Sequence, residues 1–267
     1  MKKLINSSQA PQGDKFKPYE IPPLVEPSRR WVRVKFGGEI IADSQRVLFL
    51  QQYGPDRLPT YYFPTADVRM DVLELAVHES LPIRARYWNV KIGDQVARHA
   101  AWTLLDPPPN LAVLKGYITF AWNTMLAWYE EEEEVFIHAR DPYKRVDVLA
   151  SSRHVRIAVA GETVAETHRP YLLFETSLPT RYYIPREDVR MNLLEPTRLK
   201  TPCPYKGVAS YWSVKIGDYG AKNVVWSYPE PIPEIPKIKN LLCFFNERVD
   251  MYVDGTLQER PYTPWSE

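Results

Sequence analysis

The sequence predicts an all-β protein: two tandem copies of a small β-tent-like antiparallel sheet domain, with short helical turns and no long helix. Three observations carry this expectation. The first is composition, with 25 prolines against 11 glycines, 17 Tyr, 8 Trp and 13% aromatic residues overall. Prolines at that density interrupt long helices, and aromatic and β-branched residues favour strands. The second is local alternation of apolar and polar residues. The third is an internal repeat about 120 residues long, which the handful of known solenoid periods does not reach.

The alternation opens each copy. Trp31-Val32-Arg33-Val34-Lys35-Phe36 has the period of two that marks a half-buried strand, turns at Gly37-Gly38 and resumes as Glu39-Ile40-Ile41-Ala42. His154-Val155-Arg156-Ile157-Ala158-Val159 does the same, with a turn at Ala160-Gly161 before Glu162-Thr163-Val164-Ala165. Both read as hairpins. Further strands are expected over 46–51, 87–92 and 115–122 and in the matching stretches of the second copy. Pro64 and Pro185 are placed to open short helical turns, and residues 233–238 read as another.

The repeat is direct. Tyr61-Tyr62-Phe63-Pro64-Thr65-Ala66-Asp67-Val68-Arg69-Met70 matches Tyr182-Tyr183-Ile184-Pro185-Arg186-Glu187-Asp188-Val189-Arg190-Met191 at seven of ten positions. Tyr87-Trp88-Asn89-Val90-Lys91-Ile92-Gly93-Asp94 matches Tyr211-Trp212-Ser213-Val214-Lys215-Ile216-Gly217-Asp218 at seven of eight. Trp102 and Trp226 continue the same offset. The organisation that follows is an extended polar arm over 1–30, a first module over 31–140, a second over 141–256, and a tail over 257–267. Asp67 with Arg69, and Asp188 with Arg190, are expected to form a structural ion pair or a turn clamp. The run Glu130 to Glu134 reads as a solvated turn.

Charge and patterning exclude several classes. A formal net charge of +1 gives no long-range attraction to nucleic acid or to an anionic membrane. No apolar run approaches the roughly 18 residues of a spanning helix, and the basic start Met1-Lys2-Lys3 lacks an apolar signal core, so a cytoplasmic location is expected. The two cysteines, Cys203 and Cys243, read as free thiols. The five histidines make no metal-ligand spacing, and there is no phosphate-binding glycine loop or nucleophile elbow.

Tyr-Tyr-x-Pro-x-x-Asp-Val-Arg-Met, then Leu194-Glu195-Pro196, Cys203-Pro204-Tyr205-Lys206-Gly207, Ala209-Ser210-Tyr211-Trp212, Trp226-Ser227-Tyr228-Pro229 and Val249-Asp250-Met251-Tyr252-Val253-Asp254-Gly255, resembles domain-of-unknown-function family 427. The resemblance covers nearly all of both modules, is closer in the second, and is to the two-domain members found in bacteria. It implies an all-β fold related to the β-tent of methionine-sulfoxide reductase B, Yippee proteins and the thalidomide-binding domain of cereblon. Those relatives hold zinc with two Cys-x-x-Cys pairs. This chain has none, so neither metal nor cofactor is expected.

The two copies differ in one place that bears on function. Fifteen residues separate Glu195 from Tyr211, but twelve separate Glu74 from Tyr87, and the stretch lost is the Cys203–Gly207 loop. Val77 to Pro82 stand in its place. What both copies share is expected to serve the fold, and what one copy carries alone is freer to serve function. The leading expectation is a small-molecule or peptide-binding module. Its pocket would be in the second domain, formed by Cys203, Tyr205 and Lys206 with Tyr183, Tyr211, Trp212 and Tyr228, because aromatic walls with a few polar tips suit small ligands. The first domain would be scaffold or an altered site. A second reading is an enzyme using Cys203 as nucleophile or redox thiol beside Lys206. A third is a structural interaction protein without a ligand.

Overall fold

The computed structural model describes residues 12–15, 22–54, 57–76 and 85–266. Most of the polar start and the stretch Val77 to Pro82 lie outside the described residues. The chain divides into two compact units, residues 18–141 and residues 142–267 together with 1–17. The second unit includes a two-stranded parallel pair, β1 (Gln12–Lys15) with β24 (Arg260–Tyr262).

Each module holds a seven-stranded and a four-stranded antiparallel sheet. In the first, the large sheet runs β2 (Leu24–Pro27), β5 (Leu48–Gln51), β6 (Thr60–Pro64), β10 (Tyr117–Phe120), β9 (Gln95–Leu104), β8 (Ala85–Ile92), β7 (Leu73–Ala76). The small sheet runs β12 (Glu133–Val135), β11 (Ala127–Glu130), β3 (Val32–Phe36), β4 (Glu39–Ser44). The second module repeats this strand for strand. Its large sheet runs β13 (Val146–Ala150), β16 (Tyr171–Glu175), β17 (Arg181–Ile184), β21 (Leu242–Phe244), β20 (Tyr219–Ser227), β19 (Gly207–Ile216), β18 (Leu194–Cys203). Its small sheet runs β15 (Glu162–Thr167), β14 (Val155–Val159), β22 (Asp250–Val253), β23 (Thr256–Leu257). The expected all-β duplication is the architecture.

The alternation in sequence becomes the core. Val32 and Val34 on β3, and Val155 and Ile157 on β14, are fully buried, while the intervening Arg33 and Arg156 are not. The β3–β4 and β14–β15 hairpins turn through two successive left-handed residues, Gly37 and Gly38 in one and Ala160 and Gly161 in the other. Such turns match the twist of the strands they join.

Two readings of the sequence change in the structure. The arm does not extend to residue 30: Leu24–Pro27 pairs with β5, because Leu24-Val25 is apolar enough to extend that sheet. The tail carries a strand, Arg260–Tyr262, which pairs with β1. The glutamate run is a hairpin, not a solvated turn throughout. Glu130 is buried at the end of β11, where Arg30 reaches it at 2.6 Å and the Tyr61 hydroxyl donates to it at 2.9 Å.

The repeated Asp-Val-Arg-Met segment is a clamp without an Asp–Arg pair inside it. Pro64 and Pro185 each cap a single 3-10 turn, Thr65–Asp67 and Arg186–Asp188, so the two charges diverge. Asp67 accepts from Ser44 Oγ at 2.7 Å and from Arg46 at 2.6 and 2.9 Å; Asp188 accepts from Thr167 at 2.7 Å and Arg169 at 3.1 Å. Arg69 and Arg190 turn instead to Glu39 and Glu162. The arginine bonds hold both aspartates below the usual carboxylate range. Asp188→Asn is expected to cost roughly 1 kcal/mol, the worth of a charge-assisted bond at a half-exposed site. A urea midpoint unchanged from wild type would show that the clamp is idle.

No helix among the described residues is long and apolar enough to cross a membrane.

Candidate functional site

The seven-stranded sheet of the second module has two apolar faces, because successive residues on a strand point opposite ways. Ile184, Val214, Val225 and Phe244 pack with the residues of the small sheet. Tyr183, Ala209, Trp226 and Cys243 point the other way and pack with Ile235 and Ile238, which come from the connection between β20 and β21. On this outer face lies a cavity of about 710 Å³. That is within the usual range for sites that enclose a small organic ligand.

The β18–β19 hairpin forms one wall. Its loop, Pro204-Tyr205-Lys206, is closed by Gly207 at φ +101°, and Ile232 N–H donates to the Lys206 carbonyl at 3.2 Å. This geometry turns the Lys206 ammonium onto the Glu175 carboxylate at the end of β16, which Lys144 also approaches at 3.4 Å. Burial opposes both charges, raising Glu175 and lowering Lys206. Their mutual attraction, with Lys144 acting on Glu175 and the Cys203 sulfur acting on Lys206, outweighs it. Glu175 is therefore held below the usual carboxylate range and Lys206 above the usual lysine value.

A depressed carboxylate gives stability that is present above its ordinary value of 4.5 and lost as pH falls through the folded value. A raised lysine gives stability that is full below its ordinary 10.5 and lost as pH rises through the folded value. Acidification below 4.5 is therefore expected to destabilise the second module less steeply in Glu175→Gln than in wild type. Equal slopes of urea midpoint against pH would contradict this.

The floor is aromatic around one buried cation. Arg181 on β17 donates two 2.7 Å bonds to Glu247, whose carboxylate also accepts from Thr263 Oγ1 at 2.6 Å. The guanidinium lies 5.5 Å from the Trp226 ring centroid, 5.8 Å from Phe245 and 5.8 Å from Trp265. Trp226 Nε1 donates to the Tyr183 hydroxyl at 3.2 Å. Burial pushes Tyr183 and Tyr228 well above the usual tyrosine value, so both hydroxyls stay neutral.

Of the residues singled out from sequence, Cys203, Lys206, Tyr183, Tyr211 and Tyr228 all line the cavity. Trp212 does not. It follows Tyr211 on β19, so it points through the sheet and packs against the other core. Tyr205, at the hairpin tip, turns towards Lys144, with 6.0 Å between the ammonium and the ring centroid, and is absent from the cavity wall. Cys203 and Cys243 are both free, the first half-buried and the second buried.

A family model described as a domain of unknown function, DUF427, matches residues 24–131 and again residues 147–255. The chain belongs to the DUF427 family, with two copies of its domain in tandem. No curated protein matches the chain.

The two DUF427 domains can be compared through their strand registers. Leu50 pairs with Thr60 in the first, and Leu173 with Arg181 in the second, so Thr60 stands where Arg181 does. Thr119 likewise stands for Cys243, and Leu104 for Tyr228. In the first domain Thr60 and Thr119 bond each other at 3.2 Å, and Trp122 Nε1 donates to Thr60 at 3.0 Å. A neutral hydroxyl pair thus takes the place of the buried arginine. This signal was available in the sequence: the matched segments begin at Tyr61 and Tyr182, one residue after Thr60 and Arg181. Phe245, Arg248 and Trp265 carried no such signal, because only the fold brings them to the β17–β20 face.

Proposed function

We propose that the second DUF427 domain is a small-molecule-binding module, with the cavity on the outer face of its large sheet as the site. The observation that carries this reading is the cavity itself: about 710 Å³, walled by Tyr183, Tyr211, Trp226, Phe245 and Trp265, with charged groups at set positions. Most of its apolar wall comes from strands, which hold side chains in place, and Trp265 supplies a partly exposed side that a ligand can reach. Fragment screening by NMR on the full chain tests it. Fragments that bind are expected to shift the indole N–H signals of Trp226 and Trp265. A library that moves neither signal, or whose hits converge on another surface, overturns the reading.

The enzyme reading has one supporting observation, that Cys203 and Lys206 line the same cavity. It is the weaker of the two. Lys206 is already committed to Glu175, and among the described residues no histidine lines the cavity to serve as a base.

A further inference from the structure

The cavity wall carries an imbalance of charge that its aromatic floor does not explain. Two of its cations are matched: Arg181 by Glu247 and Lys206 by Glu175. Two more, Lys222 on β20 and Arg248 after β21, have no carboxylate partner among the described residues. They are neighbours. Arg248 donates to the Lys222 carbonyl at 2.9 Å, and its guanidinium lies 5.9 Å from the Phe245 ring centroid. That bond and that ring fix the guanidinium beside the apolar floor. The site therefore has an aromatic face with two uncompensated positive charges along one side.

We infer that the ligand is an organic acid: a flat apolar or aromatic body that lies on Trp226 and Phe245, carrying a carboxylate, sulfonate or phosphate directed to Arg248 and Lys222. The inference rests on the cavity being the binding site, as proposed above. A neutral apolar ligand would leave the charged side unused. A cationic one would meet Arg248 and Lys222 with like charge. Arginine is suited to the role, since its planar fork binds oxyanions through two parallel bonds while its face stacks on aromatic rings.

The test compares two fluorescent probes with one aromatic body, anilinonaphthalene sulfonate and the uncharged phenylnaphthylamine, titrated into the full chain. The sulfonate is expected to bind roughly tenfold more tightly at low salt, with the difference shrinking as salt screens the rim charges. The double variant R248Q/K222Q is expected to remove most of that preference, and K239Q, which neutralises an exposed lysine that does not line the cavity, to retain it. The salt titration needs no variant, so it stands even if R248Q disturbs folding. If both probes bind equally and W265A weakens both, the cavity is a binding site but the acid inference is overturned. If neither probe binds, or if W265A leaves both unaffected, the binding-site reading falls and the inference falls with it.

Discussion

Glu247→Ala is expected to destabilise the second module by about 3–5 kcal/mol, the usual cost of removing one partner from a buried ion pair. The Glu247 side chain has no exposure and that of Arg181 only 9%. Burial penalises both charges, but their paired bonds hold Arg181 above the usual arginine value and Glu247 below the usual carboxylate one. Without the carboxylate, the guanidinium is left charged among Trp226, Phe245 and Trp265, and Thr263 loses its acceptor. Adding Arg181→Thr, the residue of the first copy, is expected to recover part of the loss, because no orphan charge remains. Hydrogen exchange places the effect: amides of β17 and β21 lose protection in the single variant and regain some in the double. A loss under about 1 kcal/mol would mean that water reaches the pair as it does at a surface.

Gly207→Ala is expected to cost about 2–4 kcal/mol and to abolish binding in the cavity. Gly207 has φ +101°, and a Cβ there would lie 2.8 Å from the Glu230 carbonyl oxygen, a backbone atom that cannot rotate away. Left-handed strain contributes about 1–2 kcal/mol and the clash a similar amount. Relief requires the hairpin to shift, and Lys206 and Cys203 shift with it. Gly217→Ala is the internal control. It is also left-handed, at φ +56°, but nothing lies within 4 Å of a Cβ there, so only the strain of about 1–2 kcal/mol is expected and the cavity is retained. Equal effects from the two variants would show that the contact with Glu230 does not matter.

The fold was legible because burial imposes a period. Val32, Val34, Val155 and Ile157 stand at every second position of their strands and are all fully buried. The duplication was legible because both copies must fill the same inner face. The site was legible only where one copy differs from the other within a continuous stretch, as at the Cys203–Gly207 loop. Trp212 was misplaced for a reason strand geometry supplies: neighbours in sequence cannot share a face, and Tyr211 had the outer one. Glu247, Arg248 and Trp265 lie far along the chain from Arg181, and no local pattern links them. The pairing of β17 with β21 brings Glu247 and Arg248 near, and the Thr263 bond to Glu247 brings the segment that carries Trp265.

The parallel pair of β1 and β24 has a consequence for how the molecule is made. Gln12 lies opposite Arg260, so segments from far apart in the chain must meet to form it. Pairings this distant in sequence form slowly and late. The residues that follow β24 include Thr263, bound to Glu247, and Trp265, on the cavity rim. The rim of the cavity thus borders a pairing of long sequence separation rather than a local hairpin. A protein cut before Pro142 and expressed as the second half alone would make every strand of the large sheet yet still lack the clasp beside its own rim.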